Sequence, residues 1–172
     1  MTAGLVTALV VDDNHHMRHI VKEMLRSLGV KMIEEASNGA EAFEVLRGKL
    51  IDLAVVDVSM NVLDGIEFLH MLRKSSDSPN PYLPVIALTA HTERSKVIAL
   101  RDAGVTEVMA KPISAKVFMD RLNATILRPR SFVRTTTYFG PDRRRQDDPK
   151  FKGPWRRKGD PNADDAAEPT EI

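Results

Sequence analysis

A chain of 172 residues with 42% apolar residues and a net charge of +1 can form one globular domain and an extension. It has no cysteine, which excludes a disulfide framework and argues against structural zinc. It contains neither a secretory signal nor an apolar run of about 18 residues, so we expect a cytoplasmic protein with no membrane insertion.

Apolar runs too short for helices alternate with segments of helical periodicity along residues 1–127. The runs predict five strands, the weaker ones being the second and fifth, at 5–11, 32–36, 53–56, 85–88 and 105–110. The periodic segments predict five helices, at 17–28, 40–46, 66–72, 96–103 and 115–127, with Ser114 as the N-cap residue of the last. This alternation predicts an α/β fold, a doubly wound five-stranded parallel sheet with helices on both faces.

Polar residues stand where the predicted strands end. Asp12 and Asp13 follow the first strand, Asp57 follows the third, Thr89 follows the fourth, and Lys111 follows the fifth. Because the carboxyl ends of parallel strands meet at one edge of a sheet, we expect these side chains to share one acidic pocket with a single amine.

The residue types in this pocket indicate phosphoryl chemistry. Mg²⁺ prefers oxygen ligands, and three adjacent carboxylates repel one another unless a cation neutralises them. We therefore expect Asp12, Asp13 and Asp57 to bind Mg²⁺, and Asp57 to act as a nucleophile that forms an aspartyl phosphate. The metal and Lys111 would stabilise the phosphoryl oxygens, and the Thr89 hydroxyl would donate to one of them.

Four segments, taken in their order and spacing, resemble the receiver domain of two-component response regulators, especially the single-domain chemotaxis receivers: VVDDN (10–14), VVDVSMNVLDG (55–65), ALTA (87–90) and AKP (110–112). The resemblance covers residues 5–127 and implies a flavodoxin-like strand order of 2-1-3-4-5. It also implies Asp57 as the phosphoacceptor, Mg²⁺ held by Asp12, Asp13, Asp57 and the Ser59 backbone carbonyl, and phosphate contacts from Thr89 and Lys111.

The same resemblance implies partners and limits. The phosphoryl group would come from a histidine kinase or a histidine phosphotransfer protein, and the output would be binding to another protein. The chain would not be an enzyme beyond catalysing its own phosphorylation and dephosphorylation. The bond between Lys111 and Pro112 is expected to be cis.

Three positions depart from the family pattern or qualify it. Asn61 stands where proline is usual, so we expect a looser loop after the phosphorylation site. Val108 stands where an aromatic residue is frequent, so the usual coupling between the threonine and an aromatic ring is not expected. His91 is either an exposed loop residue or a pH-sensitive neighbour of the phosphate.

Charge divides the chain into three parts. Residues 1–127 carry 14 basic and 16 acidic residues, residues 128–158 carry 11 and 3, and residues 159–172 carry five acidic residues and no basic one. The net charges are therefore −2, +8 and −5. We predict a receiver domain over 1–127 and a proline-rich tail over 128–172 that is extended or largely disordered.

The tail leaves several interpretations open. Residues 132–145 could be a solvated linker, a docking segment or a nucleic-acid contact. If the segment docks, Tyr138 and Phe139 are the candidates to fill space beside Val108. No helix-turn-helix pattern fits the tail, so we do not expect sequence-specific DNA binding, and nucleic acid is only the alternative partner. A metal-dependent phosphatase is a weaker alternative, because Ser59 stands where such an enzyme would carry a second Asp.

Overall fold

The computed structural model describes residues 6–143. Five parallel strands form one sheet in the order β2-β1-β3-β4-β5: β1 (Thr7–Val11), β2 (Met32–Ala36), β3 (Leu53–Asp57), β4 (Val85–Thr89) and β5 (Glu107–Ala110). The helices alternate with them: α1 (His15–Ser27), α2 (Gly39–Gly48), α3 (Gly65–Lys74), α4 (Arg94–Asp102) and α5 (Ala115–Leu127). The predicted fold class and strand order are confirmed, and no helix within the described range is long and apolar enough to cross a membrane.

The sheet is covered on both faces, which is why its central strands are apolar at nearly every position. All five residues of β3 and all five of β4 are buried. On one face the core is completed by α2, α3 and α4, with Phe43, Phe68 and Leu100 among the buried side chains. On the other face α1 and α5 contribute Leu25 and Phe118.

Helix caps fix the turns that follow β1 and β3. The Asn14 side chain accepts hydrogen bonds from the backbone of His16 and Met17 at the start of α1. Asp64 and Glu67 form a capping box at the start of α3. As a result, α1 begins three residues after Asp12 and α3 begins eight residues after Asp57. Ser114 lies at the N-cap position of α5 as predicted, but its side chain makes no capping hydrogen bond.

The first part of the predicted tail is structured. Two antiparallel strands, β6 (Phe132–Arg134) and β7 (Phe139–Pro141), form what we call the C-terminal hairpin (residues 130–143). The segment is extended, as expected, but it is also packed against the domain, and Tyr138 and Phe139 are each only 6% exposed. Residues 1–5 and 144–172, which include most of the predicted tail, lie outside the described residues.

The hairpin packs against a buried arginine. The Arg73 guanidinium donates hydrogen bonds to the carbonyls of Gly104 (3.0 Å), Pro81 (2.7 Å) and Leu83 (2.7 Å), which precede β5 and β4. Burial lowers the pKa of Arg73 to about 10, so the group stays charged at neutral pH. The ring of Phe132 lies 5.1 Å from the guanidinium carbon. The hairpin therefore packs at the amino ends of β4 and β5, opposite the acidic edge.

The two aromatic residues singled out in the tail have different environments. Phe139 packs with Tyr82 and Phe132, with ring centroids 5.2 and 5.6 Å away. Tyr138 lines a cleft that also contains Val108. Tyr138 thus lines the same cleft as Val108, whereas Phe139 packs with Tyr82 and Phe132, and the filling of space beside Val108 stays a prediction.

We predict that Phe139→Ala lowers the free energy of unfolding by about 3 kcal/mol, because it removes a buried ring from a packed cluster. Urea unfolding of the full chain measures this change. Val117→Ala, at a side chain 45% exposed, serves as the control and should change stability by no more than about 0.5 kcal/mol. An unchanged unfolding free energy for Phe139→Ala would show that the hairpin adds nothing to the stability of the domain.

Candidate functional site

The carboxyl edge of the sheet carries a cluster of three carboxylates. Asp12 and Asp13 follow β1, and Asp57 ends β3, which is the neighbour of β1 in the sheet. One oxygen from each carboxylate lies within 4.8 Å of the other two. Asp12 and Asp57 are buried, at 1% and 4% exposure, whereas Asp13 faces solvent. The structure thus brings together the three acidic residues that the strand ends indicated.

Lys111 places a positive charge between the two buried carboxylates. Its Nζ lies 2.9 Å from Asp57 Oδ1 and 3.2 Å from Asp12 Oδ2. Its backbone N–H donates to the carbonyl of Thr89 at 2.8 Å, which fixes the start of the loop after β5. The bond between Lys111 and Pro112 is cis, as expected. One ammonium is therefore shared by two carboxylates.

The carboxylates and the amine shift one another's pKa. Burial raises the pKa of Asp57, the Lys111 ammonium opposes this rise, and the nearby Asp12 adds to it. Burial alone would lower the pKa of Lys111, but its contacts with Asp57 and Asp12 outweigh this effect and raise it. The site therefore brings a single amine to three carboxyl groups.

The arrangement suits a hard divalent cation. Asp57 Oδ1 is buried and accepts no well-aligned hydrogen bond from the described residues, although the Lys111 ammonium is close. Mg²⁺ takes oxygen ligands and commonly binds through one or two carboxylates with waters completing its shell. Asp12, Asp13 and Asp57 offer such oxygens within reach of one another. Ser59, the predicted carbonyl ligand, lines the adjoining cleft of about 390 Å³, together with Asp13.

Thr89 lies at the same edge, but its hydroxyl is directed to the following loop. The hydroxyl donates to the His91 carbonyl at 3.1 Å and accepts from the His91 N–H at 3.0 Å. Thr89 is buried, whereas His91 is exposed and lines the same cleft as Asp13, so both interpretations of His91 stay predictions. To donate to a group bound at Asp57, the Thr89 hydroxyl must give up its bond to the His91 carbonyl.

Sequence reasoning missed one residue of the site. The Asn61 side chain donates to Asp13 Oδ2 at 3.0 Å and so ties the loop after β3 to the loop after β1. We expected a looser loop at this position, but asparagine supplies a cross-link that proline cannot make. The next residue, Val62, has a φ of 75° and is 86% exposed. A left-handed conformation is costly for a β-branched residue, so this loop is strained beside the acidic cluster.

Comparison with known proteins identifies the family to which this fold belongs. Residues 8–123 match the response regulator receiver domain family. The chain belongs to this family. The receiver is thus a component of two-component, phosphorelay signalling, and its likeness to chemotaxis-type receivers is confirmed by the relatives described next.

Two curated relatives are chemotaxis proteins. The receiver is 36% identical over 115 residues to the chemotaxis protein CheY-3 of Vibrio cholerae, a match covering 67% of this chain and 87% of that protein. It is 35% identical over 114 residues to the chemotaxis protein CheY of Pseudomonas aeruginosa, covering 66% and 90%. The hairpin lies beyond the residues that match the family.

Solved structures show the same fold. A response regulator from Chloroflexus aurantiacus matches with a TM-score of 0.65 and 28% identity, covering 72% of this chain and 98% of that one. The chemotaxis response regulator CheY4 of Vibrio cholerae matches with a TM-score of 0.64 and 27% identity, covering 70% and 98%. The five-stranded sheet and its helices therefore have the fold of solved response regulators.

We predict that Asp57→Asn raises the melting temperature in metal-free buffer at pH 7. The pKa of Asp57 is raised above its ordinary value of 3.8, so the folded state holds the carboxyl proton more tightly than the unfolded chain. The free energy of unfolding therefore falls as the pH rises from the ordinary pKa of the group to its raised pKa, and the loss persists at higher pH. A gain of about 1 kcal/mol would raise the melting temperature by roughly 2–4 °C.

In the presence of Mg²⁺ we expect the wild type to be more stable than Asp57→Asn. At about 100 times its dissociation constant, Mg²⁺ would stabilise the wild type by about 2.7 kcal/mol, and Asp57→Asn by less. Thermal unfolding with and without Mg²⁺ measures both effects. A variant that is less stable than the wild type in metal-free buffer at pH 7 would contradict the charge argument.

Proposed function

We propose that the receiver accepts a phosphoryl group on Asp57 in a Mg²⁺-dependent reaction and signals by binding other proteins. The donor is a histidine kinase or a histidine phosphotransfer protein. The observation that carries the proposal is the position of Asp57, buried at the end of β3 with one oxygen 2.9 Å from the Lys111 ammonium. The protein acts as a switch that catalyses only its own phosphorylation and dephosphorylation.

The residues of the site divide the chemistry among them. An ionised Asp57 oxygen attacks phosphorus, a new O–P bond forms, and the bond between phosphorus and the histidine nitrogen of the donor breaks. Lys111 moves its charge from the Asp57 oxygen to a phosphoryl oxygen, where negative charge is concentrated in the transition state. Bound Mg²⁺, held by Asp12, Asp13, Asp57 and the Ser59 carbonyl, would neutralise the remaining charge. The Thr89 hydroxyl turns from His91 to donate to a phosphoryl oxygen.

The first test is covalent labelling. With a small acyl phosphate and Mg²⁺, the full chain should gain one phosphoryl group that is lost in base, and Asp57→Asn should gain none. Asp120→Asn, at an exposed position on α5, is the matched control and should be labelled like the wild type. Intact-mass spectrometry measures the outcome. Labelling of Asp57→Asn at the wild-type rate would exclude Asp57 as the acceptor.

The second test separates the lysine from the metal. Lys111→Ala should bind Mg²⁺ at least as tightly as the wild type, because it removes a cation that competes for Asp12 and Asp57. The same variant should lose the conformational response to phosphorylation, because no ammonium reaches the phosphoryl oxygens. Calorimetry with Mg²⁺ and amide exchange after phosphorylation measure the two effects, with Lys116→Ala on α5 as the control. Loss of Mg²⁺ binding with an intact response would contradict the assignment.

The described part of the tail gives no support to nucleic-acid binding. Three of its four basic residues have partners within the molecule, whereas Arg128 is exposed. Arg130 pairs with Glu107, Arg134 lies 4.1 Å over the Phe139 ring, and Arg143 pairs with Asp102 at 3.1 Å. The remaining basic residues of the predicted cluster, Arg144 and Arg145, lie outside the described residues. We therefore propose protein partners.

A further inference from the structure

Thr89 lies between two clefts. The site cleft, of about 390 Å³, contains Asp13, Ser59 and Asn61. A second cleft, of about 500 Å³, is lined by residues of β5 and by Tyr138 and Pro141 of the hairpin. Among the described residues that line the two clefts, Thr89 alone belongs to both. Thr89 therefore borders both the cleft of the acidic site and the cleft that the hairpin lines.

The hairpin is fastened to the two elements that frame the second cleft. Arg130 pairs with Glu107 at the start of β5, and Glu107 is also held by Arg121 of α5. Arg143 Nη1 lies 3.1 Å from Asp102 Oδ1, at the last residue of α4, and the Arg143 guanidinium stacks 4.0 Å above the Tyr138 ring. The hairpin thus contacts both β5 and the carboxyl end of α4.

Thr89 is hydrogen-bonded to the loop that leads into α4. In this structure the Thr89 hydroxyl makes two hydrogen bonds with the His91 backbone, in the short loop that leads into α4. The contact between Arg143 and Asp102 is made with α4 in this position. When the Thr89 hydroxyl turns to a phosphoryl oxygen, it releases the His91 carbonyl, and the loop that holds α4 loses an anchor. The Thr89–His91 bonds and the Arg143–Asp102 contact are thus present together in this structure, at the two ends of α4.

We infer that the C-terminal hairpin is an inhibitory segment of the receiver: its docking on β5 and α4 favours the unphosphorylated state, and phosphorylation weakens its docking. This inference rests on the proposed function of Asp57. Thermodynamic linkage makes the effect reciprocal. If phosphorylation lowers the affinity of the hairpin for its docking surface by some factor, the docked hairpin lowers the affinity of the site for a phosphoryl mimic by the same factor. The surface uncovered on β5 and α4 would then be open to a protein partner.

Two glycines provide a matched pair of variants. A Cβ on Gly140 would lie 2.8 Å from Gly104 Cα and 2.6 Å from the Tyr138 hydroxyl, too close to be accommodated without moving the hairpin. Gly140→Ala should therefore undock the hairpin without touching any residue of the acidic site. A Cβ on Gly48, at the end of α2, would meet no heavy atom within 4 Å. Gly48→Ala is the control for the same chemical change.

The experiment uses the full chain with Mg²⁺ and beryllofluoride, a mimic of the phosphoryl group on a carboxylate. Amide hydrogen exchange of residues 132–142 reports docking, and titration with beryllofluoride reports affinity. In the wild type, beryllofluoride should increase exchange of 132–142. Gly140→Ala should show increased exchange without the mimic and should bind it about fivefold or more tightly. Gly48→Ala should match the wild type in both measurements.

The outcomes distinguish the inference from the function on which it rests. Saturable binding of beryllofluoride with unchanged exchange of residues 132–142 in the wild type would overturn the inference and leave the proposed function standing. Increased exchange in Gly140→Ala with unchanged affinity would also overturn it. A wild type that binds no beryllofluoride in the presence of Mg²⁺ would overturn the proposed function, and the inference with it. The wild-type exchange measurement decides the question even if Gly140→Ala folds poorly.

Discussion

Carboxylates whose oxygens approach within 4.8 Å repel one another, and they share a pocket only if positive charge is brought among them. In the receiver this charge comes from Lys111, which follows β5, while the carboxylates follow β1 and β3. The strand order places β4 between β3 and β5, so the lysine side chain must extend across the end of β4 to reach Asp57. The acidic site therefore exists only when the whole sheet is assembled, and its charge balance depends on the order of the strands.

Lys111 balances the charge of the carboxylates only in part, so the site can respond to a cation or a phosphoryl group. One ammonium faces three carboxyl groups, and burial raises the pKa of Asp57 even though this ammonium opposes the rise. A divalent cation adds positive charge, whereas a phosphoryl group adds negative charge that must be matched by moving Lys111 and Thr89. If the charges of the site were already balanced before phosphorylation, moving Lys111 and Thr89 would bring no gain in electrostatic energy.

The sequence was most informative where physical constraints act locally. The buried runs of β3 and β4 have no polar face, and the residues that end them are polar, so both the strands and the pocket could be predicted. The strand order came from resemblance to a family, because periodicity alone does not order strands. The Asn61–Asp13 bond spans 48 residues and has no local pattern, so it could be seen only in the structure. The strands of the hairpin are three residues long, too short for a clear alternation.

The burial of Arg73 was also not predictable from the sequence, because an arginine in a helix normally faces solvent. Here it is 3% exposed, and its planar fork satisfies three carbonyls from two different loops while one face meets an aromatic ring. Lysine has a single nitrogen and no flat face, so it is no substitute at this position. The part of the scaffold that receives the hairpin is thus specialised for it. In related proteins this arginine and the aromatic extension should accordingly be inherited or lost as a pair, which makes Arg73 a marker of receivers that carry such an appendage.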